Sequence, residues 1–225
     1  MTGVDTVLFD VDGTLVDSRR AILDTYAEAL RDVDGPTADP FAAHHPDRLL
    51  QIPAHRVFAL LSAGDPDRER AIAEAFQTRY AAREPDIGWF PGTVAALREL
   101  SGRGLHLGIV TTKARRRLDL HLAAAGVAEL FAASVCGDEV ELPKPDPAPV
   151  LAVLDRIGSS PDRAVLVGDG VADVLAARGA GALSIGVAYG FHPDECRAAG
   201  PDHWIENADE LPALIGRLSI PEQVR

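Results

Sequence analysis

The 225-residue chain carries 34 acidic and 22 basic residues, a formal net charge of −12 that argues against binding nucleic acid or an anionic membrane through a basic surface. Hydrophobic residues make up 47% and charged residues 25%, ordinary globular proportions, so one domain plus an insertion can bury a sizeable core. The two cysteines, Cys136 and Cys196, make a poor disulfide framework, no leader pattern opens the chain and no apolar run reaches the length of a membrane span, so a soluble, cytoplasmic protein is expected.

The first predicted element is the apolar run at 6–9, a strand that stops abruptly in "FDVDGT". Asp10 and Asp12 flank one residue, a spacing that places both side chains on one face of a strand, subject to the turn at Gly13. Two carboxylates so placed suit phosphoryl transfer: one attacks phosphorus and carries the group, the other protonates the leaving oxygen and later activates water. A surface turn would account for the Asp-Gly pair alone.

Residues 18–85 read as wholly helical. Asp17 or Ser18 is a candidate N-cap ahead of Ile22, Leu23, Tyr26 and Leu30. "PDRLLQIPAHRVFALL" is apolar material interrupted at Pro53, and Asp65 and Pro66 open an amphipathic helix over 65–82. Proline and glycine punctuate the exit at 84–92. The expected division is a core of 1–16 and 86–225 with a helical domain of 17–85 inserted after the first strand. His44 and His45 lack a third ligand at suitable spacing and read as loop residues.

Beyond the insertion, apolar runs at 105–111, 164–167 and 183–187, a weaker one at 133–136 and an edge candidate at 203–205 alternate with helical patterns at 93–103, 115–125, 147–157 and 171–180. This alternation predicts an α/β fold, a parallel sheet covered on both faces, which binds ligands at the carboxyl ends of its strands. Asp10, Thr111 and Asp169 fall at such ends. Thr111 can bind phosphate oxygens or cap the following helix. Arginine outnumbers lysine 20 to 2, which draws attention to Lys113 and Lys144. Lys144, held between prolines in "LPKPDP", is a compact charge suited to phosphoryl oxygens, though an isolated Lys-Pro pair would read as a solvated loop. In "VGDGVAD", Asp169 and Asp173 can serve one cation, Asp169 directly and Asp173 through water or hydrogen bonds; Asp169 could instead cap a helix. Asp10, Asp12, Asp169 and Asp173 together make an oxygen-ligand site for a hard cation such as Mg²⁺.

"DVDGTLVDS", "KPDP" and "GDGVAD", in this order and with a helical insertion just after the first, resemble the haloacid dehalogenase superfamily over nearly the whole chain. The resemblance implies a Rossmann-like core with a small helical-bundle cap that closes over the substrate, and Mg²⁺-dependent phosphoryl transfer through an aspartyl phosphate. By position, Asp10 matches the nucleophile and Asp12 the general acid/base. Thr111 and Lys144 match the phosphate-binding positions, and Asp10, the backbone carbonyl of Asp12, and Asp169 match the metal ligands, with Asp173 supporting. Asp12 disfavours a dehalogenase, because halide leaves without a proton. The absence of lysine from residues 18–85 disfavours phosphonate cleavage through a Schiff base.

Two departures concern the core: Thr112 stands beside the transferring phosphate where asparagine is common, and Gly170 replaces a common serine or threonine. In the cap, "QIPAHR" (51–56) aligns with the family's specificity loop. Gln51 and Arg56 could contact a polar or anionic leaving group, and Arg56 reads equally as a solvated helix residue. The segment from "WFPGTVAALREL" through "GIVTTKARRR" looks most like phosphoglycolate phosphatases and pyrophosphatase-type relatives. The expected protein is a phosphatase for a small phosphate monoester, phosphoglycolate-like or a sugar phosphate, acting as monomer or homodimer. A mutase of the β-phosphoglucomutase kind and a pyrophosphatase share the motifs. An inactive regulatory module is the non-enzymatic alternative, and the filled catalytic positions speak against it.

Overall fold

β1 (Thr6–Phe9) carries three apolar residues after Thr6 and every one of its residues is buried, as a strand covered on both faces requires. The structure, a computed structural model, describes residues 3–50, 52 and 54–219. After β1 the chain leaves the sheet for α1 (Arg19–Asp34), α2 (Pro46–Leu50), α3 (Ala54–Leu61) and α4 (Pro66–Arg83). It then returns through α5 (Thr93–Gly102), β2 (His106–Val110), α6 (Arg115–Ala125), β3 (Phe131–Val135), α7 (Ala148–Ile157), β4 (Ala164–Gly168), α8 (Val171–Ala180), β5 (Leu183–Val187), α9 (Pro193–Ala198), β6 (His203–Ile205) and α10 (Leu211–Leu218).

Among the described residues the strands form one six-stranded parallel sheet in the order β3-β2-β1-β4-β5-β6. The expected α/β class with a helical insertion after the first strand is therefore what the chain adopts. β3 starts at Phe131, ahead of the apolar run at 133–136, because an edge strand with a half-exposed face carries a weaker apolar signal. The short helices α9 and α10 were not expected; six and eight residues are too few for periodicity to stand out. Leu8, Val110 and Leu166 from the sheet pack with Val150, Val153 and Leu154 of α7 and Ala176 and Ala177 of α8.

The chain divides into two compact units, Ser18–Ile87 and the segments flanking it. In the helical unit, Arg68 bonds Asp34, Arg79 bonds Asp32, and Arg83 bonds Glu28, so α1 and α4 run antiparallel. Phe76 stacks on Tyr26 with ring centroids 4.5 Å apart and meets Phe58 and Tyr80 at 5.4 and 5.5 Å. Asp65 caps α4 as its position predicts, accepting from the amides of Asp67 and Arg68. In the core unit, the segments next to the insertion pair with each other: the Asp17 amide donates to Gly88 and the Phe90 amide to Leu15, both at 2.9 Å.

Candidate active site

Strand order reverses direction between β1 and β4, and in an open parallel sheet the crevice beyond the carboxyl ends at such a point receives ligands. Asp10 follows the last residue of β1, Thr111 the last of β2 and Asp169 the last of β4. The Asp10 amide continues the β1–β4 ladder to the Val167 carbonyl at 2.9 Å, which brings the Asp10 and Asp169 side chains together. Asp173 reaches the same point from the first turn of α8, where its Oδ2 accepts from the Gly170 amide at 3.1 Å.

Lys144 joins these acids. Its Nζ lies 2.8 Å from Asp10 Oδ1 and 2.6 Å from Asp173 Oδ1, and all three side chains are buried. Its chain segment passes through a cis Lys144–Pro145 peptide. Asp169 is held from another direction: its Oδ2 accepts from the Phe191 amide at 2.7 Å. One carboxylate oxygen from each of Asp10, Asp169 and Asp173 lies within 4.8 Å of the others.

The loop that carries Asp12 is closed by its own backbone. The Gly13 amide donates to the Val16 carbonyl at 3.0 Å, and the Leu15 and Val16 amides both donate to the Val11 carbonyl. Gly13 has φ +88°, a left-handed conformation that favours glycine, and a side chain there would run into the Asp169 carboxylate. The Asp12 carboxylate is not one of this group of three acids and lies against Lys113, whose Nζ is 2.8 Å from Oδ1 and 3.1 Å from Oδ2. Thr111 Oγ1 accepts from the Lys113 amide at 3.1 Å, a local turn ahead of α6 rather than its cap.

The electrostatics follow from this packing. Burial pushes the Asp10 carboxyl up from its ordinary 3.8, Lys144 pulls it back, Asp173 pushes it up again, and it settles at about 6. Asp169 is held well above the ordinary range by burial, then by the charges of Asp10 and Asp173, with the Phe191 amide and Lys144 opposing. Burial works against the charge on Lys144, yet Asp10 and Asp173 outweigh it and keep the ammonium above the usual lysine range. Three crowded, buried carboxylates facing one lysine make a donor set of oxygens only, which fits a hard divalent cation.

The structure thus brings together Asp10, Asp169, Asp173 and Lys144, sets Asp12 beside Lys113, and places Thr111 at the end of β2. Thr112, exposed, follows it in the turn. Arg56 is exposed in the first turn of α3, in the helical unit. Gln51 lies outside the described residues. Sequence reasoning did not find the Phe191 amide or the partner of Lys113. A backbone donor leaves no mark in residue type, whereas the rarity of lysine was the available signal for the second.

The model of the haloacid dehalogenase-like hydrolase family matches residues 7–187. The pyrophosphatase PpaX of Bacillus velezensis is 31% identical over 95% of this chain and 97% of its own. The phosphoglycolate phosphatase of Agrobacterium fabrum is 31% identical over 94% and 92%. Among solved structures, a predicted phosphoglycolate phosphatase from Haemophilus somnus shares the fold with a TM-score of 0.83, at 24% identity over 95% of this chain and 99% of that one. The chain belongs to the haloacid dehalogenase-like hydrolases. It is an enzyme of that family, with phosphatases among its relatives along nearly its full length.

Proposed function

We propose that the protein is a Mg²⁺-dependent phosphatase for a small phosphate monoester, working through an aspartyl phosphate on Asp10, with the helical unit 18–87 as its cap domain. The observation that carries this reading is the Asp10–Lys144–Asp173 bridge beside Asp169, with Asp12 set apart on its own lysine. At neutral pH, Asp10 at about 6 is ionised, as a nucleophile must be. An Asp10 oxygen attacks phosphorus as the bond to the leaving oxygen breaks, and the Asp12 carboxyl gives that oxygen its proton. Water then attacks the phosphorus of the acyl phosphate, Asp12 takes the water's proton, and the Asp10 carboxylate is released with inorganic phosphate. Lys144 holds Asp10 in place and offsets charge on the phosphoryl oxygens, and Thr111 and Thr112 supply polar contacts to them. Asp10, Asp169 and the Asp12 carbonyl, with Asp173 in support, would hold the cation, which when bound supplies Lewis-acid polarisation of a phosphoryl oxygen.

Pyrophosphate is a second substrate reading, favoured by the likeness to PpaX. One screen decides between them: phosphate release from phosphoglycolate, sugar phosphates, nucleotides and pyrophosphate, with Mg²⁺ or with chelator. The expected result is Mg²⁺-dependent release that chelator abolishes and Asp10→Asn abolishes in a folded protein. Undiminished release by Asp10→Asn would contradict the mechanism.

A further inference from the structure

The two lysines of this arginine-rich chain are both buried at the site, and they divide three of its four acids between them. Lys144 takes Asp10 and Asp173, and Lys113 takes Asp12. The mechanism uses the first lysine and leaves the second without a role. Lys113 is not a surface residue caught in a chance ion pair: its side chain is 3% exposed, against 23% for Asp12. Its backbone is fixed on both sides, its amide donating to Thr111 Oγ1 and its carbonyl accepting from the Gly137 amide. A long, flexible side chain costs entropy to order, and a buried ammonium costs more unless it is paired. The pairing here is with both oxygens of one carboxylate.

We propose that Lys113 is a positioning residue for Asp12, holding the acid/base carboxyl at the leaving-group oxygen and keeping it out of the Asp10–Asp169–Asp173 cluster. The inference rests on the role given to Asp12 above. An ammonium has three donors, and its nitrogen lies within hydrogen-bond reach of both carboxylate oxygens. Whichever oxygen carries the proton, the other still accepts from Nζ. The carboxyl therefore keeps its place while it gives a proton in the first half of the reaction and takes one in the second. Without Lys113, Asp12 loses this hold on both carboxylate oxygens and with it the fixed position from which it gives and takes the proton.

The test compares leaving groups. Aryl phosphates such as p-nitrophenyl phosphate expel a stable phenolate that needs no proton, whereas an alkyl phosphate needs one. Lys113→Met, Asp12→Asn and the double variant are measured on p-nitrophenyl phosphate and on the best alkyl substrate, with folding checked by circular dichroism. For Lys113→Met, kcat/KM, which reads only the first half-reaction, is expected to fall about 100-fold on the alkyl substrate, the low end for a displaced general acid, and much less on the aryl substrate; kcat falls on both, because Asp12 also takes the proton of the attacking water. The double variant is expected to be no slower than Asp12→Asn alone, because both changes remove one function. Equal losses of kcat/KM on the two substrates, or a raised KM with kcat unchanged, would overturn the inference and make Lys113 a structural or phosphate-binding residue. Should Lys113→Met not fold, Lys113→Gln, which keeps donors on its amide, carries the same comparison: a smaller loss of kcat/KM concentrated on the alkyl substrate supports the inference, and equal losses of kcat/KM overturn it. If Asp12→Asn itself shows no leaving-group dependence, the assignment of Asp12 as the acid fails, and the inference with it; if Asp12→Asn shows it and the Lys113 variants do not, only the inference fails.

Discussion

Asp169 has one oxygen tied to the Phe191 amide, and the chain that delivers this amide passes so close that Gly190 has no room for a side chain. A Cβ at Gly190 would lie far inside contact distance of Asp169 Cβ. Gly190→Ala is therefore expected to displace the Asp169 carboxylate, weakening Mg²⁺ binding in a titration calorimeter and lowering turnover, while costing about 1–3 kcal/mol of stability, as overpacking does. Unchanged Mg²⁺ affinity in a folded Gly190→Ala protein would show that the 189–191 segment does not set this ligand. At this scale the sequence was legible wherever side-chain type carries the chemistry. Asp10 and Asp169 were singled out as acids where apolar runs stop, Asp173 by its place four residues on and Lys144 as a rare lysine between prolines, and the fold brings these four side chains together. The partner of Lys113 was not legible, because Asp12 is 101 residues away and only the sheet brings β1 and β2 side by side. Gly190 and Phe191 were not legible because their contribution is steric space and a backbone amide.

Helices and strands were read well where they are long or fully buried. The parallel strands β1 and β4 show continuous apolar runs because both of their faces are covered, and the acids at their ends then follow from register. The helical unit has a different source of order. α1 and α4 are held by the aromatic cluster of Tyr26, Phe58, Phe76 and Tyr80, with arginine–carboxylate pairs along the outside. Exposed pairs of that kind contribute little, so the rings must carry the stability of the unit. Phe76 is 2% exposed and touches the other three rings, and Phe76→Ala is expected to cost about 3–5 kcal/mol in denaturant unfolding, the usual loss for a fully buried phenylalanine. A loss below about 1 kcal/mol would mean that the cluster is not what holds α1 to α4.

For the molecule as a whole, the buried acids of the site resist ionisation, and the proposed cation would offset their charge. Asp10 is raised from 3.8 to about 6, so the folded state binds this proton more tightly than the unfolded state does. The sign follows directly: its contribution to stability is fully present below about pH 4 and is lost as pH rises through about 6. Asp169, raised in the same direction, adds to the trend. A divalent cation at the proposed site would compete with these protons, so it is expected to bind more weakly at pH 5 than above pH 6 and to release protons as it binds. The upward shift in Tm on adding Mg²⁺ is therefore expected to be clearly larger at pH 7.5 than at pH 5. An equal shift at both pH values would place the cation away from Asp10 and Asp169. This dependence was not legible in the sequence, which carries the four acids but not the burial that moves them.

In the proposed reaction, Asp10 carries the phosphoryl group. An acyl phosphate is reduced by borohydride to an alcohol, a change that a free carboxylate does not undergo. Quenching the enzyme during turnover with borohydride and sequencing its peptides by mass spectrometry reads the acceptor directly. Homoserine is expected in place of aspartate at position 10, dependent on substrate and Mg²⁺ and absent without them. Reduction at any other aspartate, or none while phosphate is being released, would contradict it.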